Sequence, residues 1–193
     1  MHMIFRMLWH LRFVAPKKGP IGFTDVDESQ FRVWPTDLDV LGHMNNGKYL
    51  SIMDVARFDL IKRNGTWDLF ARERWYPGVV AQTITYRKSL NPWKKFSIES
   101  RILGFDDQAV YLEQRFTRPA GARSSNPGSS EIYARAIVRA RILRRGGGVV
   151  KIDELLEKTG AREEEMRLPD EIRAWGLDSR LPSTRDDATS TWE

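Results

Sequence analysis

PTDLDVLGHMNNGKYL, residues 35–50, changes period half-way along its length. Its first part is polar and rich in turn formers. From Gly47 onward the apolar residues Tyr49, Leu50, Met53, Val55, Ala56, Phe58, Leu60 and Ile61 recur at the spacing of a helix. Asn45 or Asn46 supplies an N-cap and Asn64-Gly65 a stop. The apolar face is broad, so this helix is expected to be largely buried. Just before the loop, residues 31–34 read as a short strand ended by Pro35.

Working outward, residues 67–77 read as a Trp-rich connector, and residues 79–88 as a β-branched strand. A turn at Asn91-Pro92 leads to residues 96–103, where Phe96, Ile98, Ser100 and Ile102 alternate with Ser97, Glu99 and Arg101. After a turn at 104–107, Val110, Leu112, Gln114 and Phe116 share one face of the next strand. Residues 119–130 are rich in Gly, Ser and Pro and are expected to form a disordered loop. The last strand, residues 132–143, sets Ala134, Ala136, Val138, Ala140 and Ile142 on one face and Arg135, Arg139 and Arg141 on the other. Such short connections predict an antiparallel meander. A curved antiparallel sheet wrapped round one long helix hides both apolar faces, giving an α+β class. Short helices are expected over 152–158 and 170–175, with a loose end from Asp178. The organisation expected is an N-terminal extension (1–29), one domain (30–145), a helical extension (146–177) and a flexible tail (178–193). No internal repeat is present.

The chain has 193 residues, enough for one sizeable core, with 41% hydrophobic and 30% charged residues, which excludes wholesale disorder. The formal charge is +5. The basic residues are scattered and form no nucleic-acid-binding module, so the charge suits a phosphate-bearing small ligand better than nucleic acid. The absence of cysteine excludes disulfides, thiolate nucleophiles and cysteine metal sites, and it fits a cytoplasmic protein. The opening MHMIFRMLWHLRFVAP is interrupted by Arg6, His10 and Arg12 and is too short to span a bilayer. It is expected to lie on the domain as a helix or strand, the alternative being membrane-surface contact through residues 1–15.

Asp37, Asp39, His43, Asn45 and Asn46 fall within ten residues directly before the long helix. There they meet its unpaired N–H groups and positive end, which can polarise a carbonyl and stabilise an oxyanion. A carboxylate beside it can activate water or attack directly, and His43 can orient or transfer a proton. Asp and Asn are also ordinary caps and turn formers, and residue types alone leave both readings open.

The pattern D-L-D-x-x-x-H-M-N-N-x-x-Y-L (37–50), followed by Ala56-Arg57, resembles the signature of the hotdog-fold acyl-thioesterase superfamily. It is similar both to the 4-hydroxybenzoyl-CoA thioesterase-like group and to the plant acyl-ACP thioesterases. Two later blocks, LGFDDQAVYLEQRF (103–116) and RLPDEIRAW (167–175), resemble the subgroup of thioesterase superfamily member 6 and its bacterial relatives. The resemblance implies a hotdog fold and an acyl-CoA or acyl-ACP thioester hydrolase. Asp39 would be the catalytic carboxylate, as general base or nucleophile, and His43 a catalytic-loop histidine. Leu41 stands where the plant enzymes carry asparagine, a departure from their set. Asn45, Asn46, Gly47, Tyr49 and Met53 would contact substrate. Asp54 and Asp59, the carboxylates along the helix, read as solvated or ion-paired, and Asp37 as a turn former. The family also implies a homodimer or dimer of dimers with its site at the interface, no metal, and no cofactor apart from the CoA of the substrate. Arg87, Lys88, Lys94 and Lys95 flank the Asn91-Pro92 turn, either as a basic surface or as phosphate contacts. The competing function is a non-catalytic acyl-CoA-binding or scaffold protein; the sequence contexts of hotdog hydratases are not found.

Overall fold

The computed structural model describes residues 3–14, 18–119, 129–162, 166–182 and 186–188. The chain runs α1 (Met3–Trp9), continued by a π-helical turn (His10–Val14), then β1 (Asp27–Arg32) and a 3-10 turn (Pro35–Asp37). Next come α2 (Asn46–Arg63), α3 (Thr66–Glu73), β2 (Trp75–Tyr86), β3 (Lys95–Phe105) and β4 (Val110–Pro119). It ends with β5 (Ser130–Arg144), α4 (Ile152–Thr159) and α5 (Asp170–Asp178).

As the periodicity required, α2 is the central helix. Ile52, Met53, Ala56 and Leu60 are wholly buried and pack with Ile98, Phe116, Ala136 and Val138 of the sheet. Asn45 caps it, its Oδ1 accepting from the Gly47 N–H at 2.9 Å. Residues 67–77 depart from the expected connector. Thr66–Glu73 is a helix, and Trp75 already begins β2. The reason is burial: Leu69 and Phe70 reach the core from one face of α3, while exposed Trp67 packs edge-on against Phe58.

The five strands are antiparallel in the order β1-β3-β4-β5-β2. Only β3, β4 and β5 form the expected meander. β2 lies beside β5, so residues 87–94 are a crossover, not a hairpin. Backbone pairing explains this, because the crossover is drawn to the loop before α2: Met44 N–H donates to Leu90 O (2.9 Å) and Trp93 N–H to Val33 O (2.9 Å). Within the loop expected over 119–130, β4 continues to Pro119 and β5 starts at Ser130; residues 120–128 lie outside the described residues.

The outer face of the sheet carries a second, smaller core of Ala109, Tyr111, Ile137 and Leu168, closed by Leu103, Ile172 and Trp175. Here the backbone passes so near β3 that a Cβ on Gly104 would sit 2.6 Å from the Met166 carbonyl oxygen. Arg180, read from sequence as part of a loose end, returns to pair with Asp106 and Asp107.

α1 lies on the domain. Arg6 Nη1 donates to Asp37 Oδ2 (2.9 Å) and His10 Nε2 lies 3.0 Å from Asp59 Oδ2, both contacts buried. With its polar side turned inward, the segment leaves Ile4, Leu8, Trp9 and Phe13 exposed. Among the described residues no helix is long and apolar enough to cross a membrane.

Candidate active site

The segment between the 3-10 turn and α2 folds back on itself. Leu38 bridges Met44, and inside that bridge Asp39 N–H donates to His43 O (2.8 Å) and Gly42 N–H to Asp39 O (3.1 Å). Gly42 supplies the left-handed residue (φ 76°) that this tight reversal needs. Asp39 is half-buried. Its Oδ1 accepts the N–H groups of Leu41 (2.9 Å) and His43 (3.3 Å), while Oδ2 has no partner among the described residues. The turn therefore fixes the carboxylate by one oxygen and leaves the other unengaged among the described residues.

His43 is exposed and joined to Asp39 through its backbone; no hydrogen bond between the two side chains is formed. Leu41 is at the exposed tip beside Val40. Asn45 N–H donates to Asp37 O (2.8 Å), which sets the loop against the start of α2. With Gly47 N–H taken by Asn45, the Asn46 N–H is the donor without a partner at the helix N-terminus, among the described residues. Asn46 also accepts, through its carbonyl oxygen, from the Tyr86 hydroxyl at 3.5 Å. Gly47 is exposed on the first turn. Asp39, His43, Asn45, Asn46 and Gly47 thus lie on one stretch of chain at the N-terminal mouth of α2.

Tyr49 and Met53 lie deeper. Tyr49 is 2% exposed between the rings of Tyr86 (5.0 Å) and Phe116 (4.8 Å), and burial pushes its phenol up to about 12. Met53 is wholly inside, its carbonyl accepting from Gln114 Nε2 at 3.1 Å. The helix carboxylates are ion-paired as expected, in opposite surroundings: Asp54 is on the surface with Arg57, whereas Asp59 is wholly buried. Asp59 Oδ2 takes Lys18 Nζ and Ser29 Oγ, each at 2.6 Å, together with His10. Burial alone would raise its pKa, but these hydrogen bonds outweigh burial and hold it below the usual carboxylate range. Asp37 is more than a turn former, since it anchors α1 through Arg6. Of the flanking cations, Arg87 and Lys88 pair with Glu131.

Sequence reasoning anticipated unpaired N–H groups at the start of α2 but did not find Tyr86 or Leu90. Tyr86 ends β2 and Leu90 lies in the crossover, and the position of that segment beside the loop has no local signal.

The family model described as "Thioesterase-like superfamily" matches residues 33–176. The chain belongs to this superfamily. Among its relatives, Protein THEM6 of Xenopus laevis is 44% identical over 84 residues, 44% of this chain and 41% of that protein. Protein THEM6 of Drosophila melanogaster is 26% identical over 140 residues, 72% of this chain and 66% of that protein. The matches thus span less than two thirds of these curated relatives. Two solved thioesterase structures share the architecture. The probable thioesterase YbaW of Escherichia coli superposes with a TM-score of 0.60 at 21% identity, covering 72% of this chain and 98% of that one. The 4-hydroxybenzoyl CoA thioesterase of Pseudomonas sp. strain CBS-3 gives 0.57 at 13% identity, over 69% and 98%. At these identities the likeness is one of fold. This member of the thioesterase-like superfamily has the hotdog fold.

Proposed function

We propose that the chain hydrolyses an acyl-CoA or acyl-ACP thioester to a free acid and a thiol. The observation that carries this is Asp39, held through Oδ1 by two loop N–H groups with Oδ2 unengaged, in the loop that leads into the N-terminus of α2 with its unpartnered Asn46 N–H. In this reading Oδ2 takes a proton from water as water adds to the thioester carbonyl carbon. The charge developing on the carbonyl oxygen is met by the Asn46 N–H and the positive end of α2. The C–S bond then breaks, and the proton passes to the leaving thiolate; His43, at the same mouth, is the group placed to assist. Membership of the thioesterase-like superfamily supports the reaction class. The 4-hydroxybenzoyl and gentisyl CoA thioesterases of like fold support a CoA ester as the form of substrate. The lack of cysteine and the basic balance suit a cytoplasmic enzyme acting on an anionic ester.

The same reading calls for a second copy. β2 is a sheet edge of twelve residues that exposes Tyr76, Val79, Val80 and Tyr86. A long apolar edge of that kind is a template for strand pairing. Because Tyr86 reaches Asn46, a partner on β2 would border the mouth and close what one chain leaves open.

Release of free CoA thiol from acyl-CoAs of graded chain length tests the proposal. Turnover that Asp39→Asn abolishes is the expected result. Tight acyl-CoA binding without thiol release would make this a binding protein instead.

A further inference from the structure

A cavity of about 960 Å³ opens between α1 and strands β1, β3 and β4. None of Asp39, His43, Asn45 or Asn46 lines it. One side carries the exposed rings of Trp9 and Trp34, while Phe31 and Phe96 belong to the core face of the same strands. On the other side Arg32 and Lys95 stand directly opposite each other across the β1–β3 pair. Like charges in that position repel, and neither side chain has a carboxylate partner among the described residues.

The acids of the wall do not compensate them. Glu99 is paired with Arg115. Glu28 accepts from Ser97 Oγ (2.6 Å) and lies four residues along β1 from Arg32, roughly 13 Å at strand spacing. Arg118 adds a further cation, its Nε donating to the Lys95 carbonyl at 2.8 Å. The charge of Arg6 is met by Asp37. The cavity therefore has an aromatic body and an uncompensated cationic end, within the size range of small-molecule sites.

We propose that this cavity binds an anionic single-chain amphiphile. Its carboxylate or phosphate head lies on Arg32 and Lys95, and its apolar body runs along Trp9 and Trp34. The site is separate from the Asp39 loop and takes a ligand whether or not the loop is catalytic.

Calorimetric titration of the full chain with dodecanoate, dodecyl phosphate and dodecyltrimethylammonium, each below its micelle concentration, tests this. One-to-one binding of an anion is expected, about tenfold or more tighter than the cation, with Asp39→Asn leaving it unchanged. The tighter of the two anions identifies the head as that of a fatty acid or of a phosphate lipid. The double variant R32Q/K95Q should weaken binding by about tenfold or more with an unaltered melting temperature. Should that variant prove unstable, Trp9→Ala, at a residue 62% exposed, provides the second readout and should also weaken binding. Equal affinity for the cation, no binding of either anion, or full affinity in both variants overturns the proposal.

Discussion

One oxygen of Asp39 serves the turn and the other serves the proposed chemistry, and substitution separates the two. Asn keeps an acceptor for the Leu41 and His43 N–H groups but removes the base. Asp39→Asn should therefore lower kcat by roughly 10²–10⁴-fold with circular dichroism and melting unchanged. A variant that loses activity by unfolding would show in the same melts. Asp59 makes the opposite kind of prediction, since it is placed for stability. Its folded-state pKa is depressed, so its contribution is full above the unfolded value near ~4 and is lost as pH falls below it. Asp106 adds to the same trend. Burial raises its pKa, but bonds from Tyr111, the Gln108 N–H, Arg139 and Arg180 outweigh that and leave it at about 2. Urea titrations at pH 7 and pH 3 should show the wild type weakened in acid. Asp59→Asn should be less stable at pH 7 by about 3–5 kcal/mol, with a smaller further loss at pH 3; an unchanged acid loss would remove Asp59 from the account. The polar loop that holds Asp39 before α2 was legible because its contacts are local, with Leu41 and His43 as the partners of Asp39. The partners of Asp59 were not, since His10 and Lys18 lie 49 and 41 residues away.

α2 could be read almost to the residue, since its apolar spacing, cap and stop are all local signals. α3 could not, because eight residues give two turns and its Trp67 suits a strand as much as a helix. The later sequence blocks, 103–116 and 167–175, are distant in sequence yet face each other across the outer core. Gly104 meets the backbone of Met166, and a Cβ on Gly176 would fall 1.8 Å from the Tyr111 hydroxyl. Both glycines are thus set by close approach of chain to chain. Gly104→Ala should force residues 166–168 off β3 and cost about 1–3 kcal/mol. Hydrogen exchange should then rise in α5 and in the 104–111 turn while α2 stays protected. Exchange confined to residue 104 itself would mean that the approach is looser than described.

For the molecule as a whole, the sequence supplied the α+β class and the antiparallel pairing, but not the strand order. A β2–β3 crossover and a β2–β3 hairpin have equally short connections, and the long-range bonds from Met44 to Leu90 and from Trp93 to Val33 select the first. That choice leaves β2 as an edge beside the mouth. Sedimentation should find the wild type at least dimeric. The double variant V79K/V80K should be monomeric with reduced thioester hydrolysis, because lysine on an edge strand opposes pairing. A monomeric wild type of full activity would show that one chain suffices.

The proposed hydrolysis rests on Asp39 as its base. The most direct test compares wild type and Asp39→Asn for release of CoA thiol from a panel of acyl-CoAs, with folding checked in the same samples. Turnover by the wild type and its collapse in a fully folded Asp39→Asn is the result expected. No turnover of any acyl-CoA by the wild type, or undiminished turnover by the variant, would contradict it.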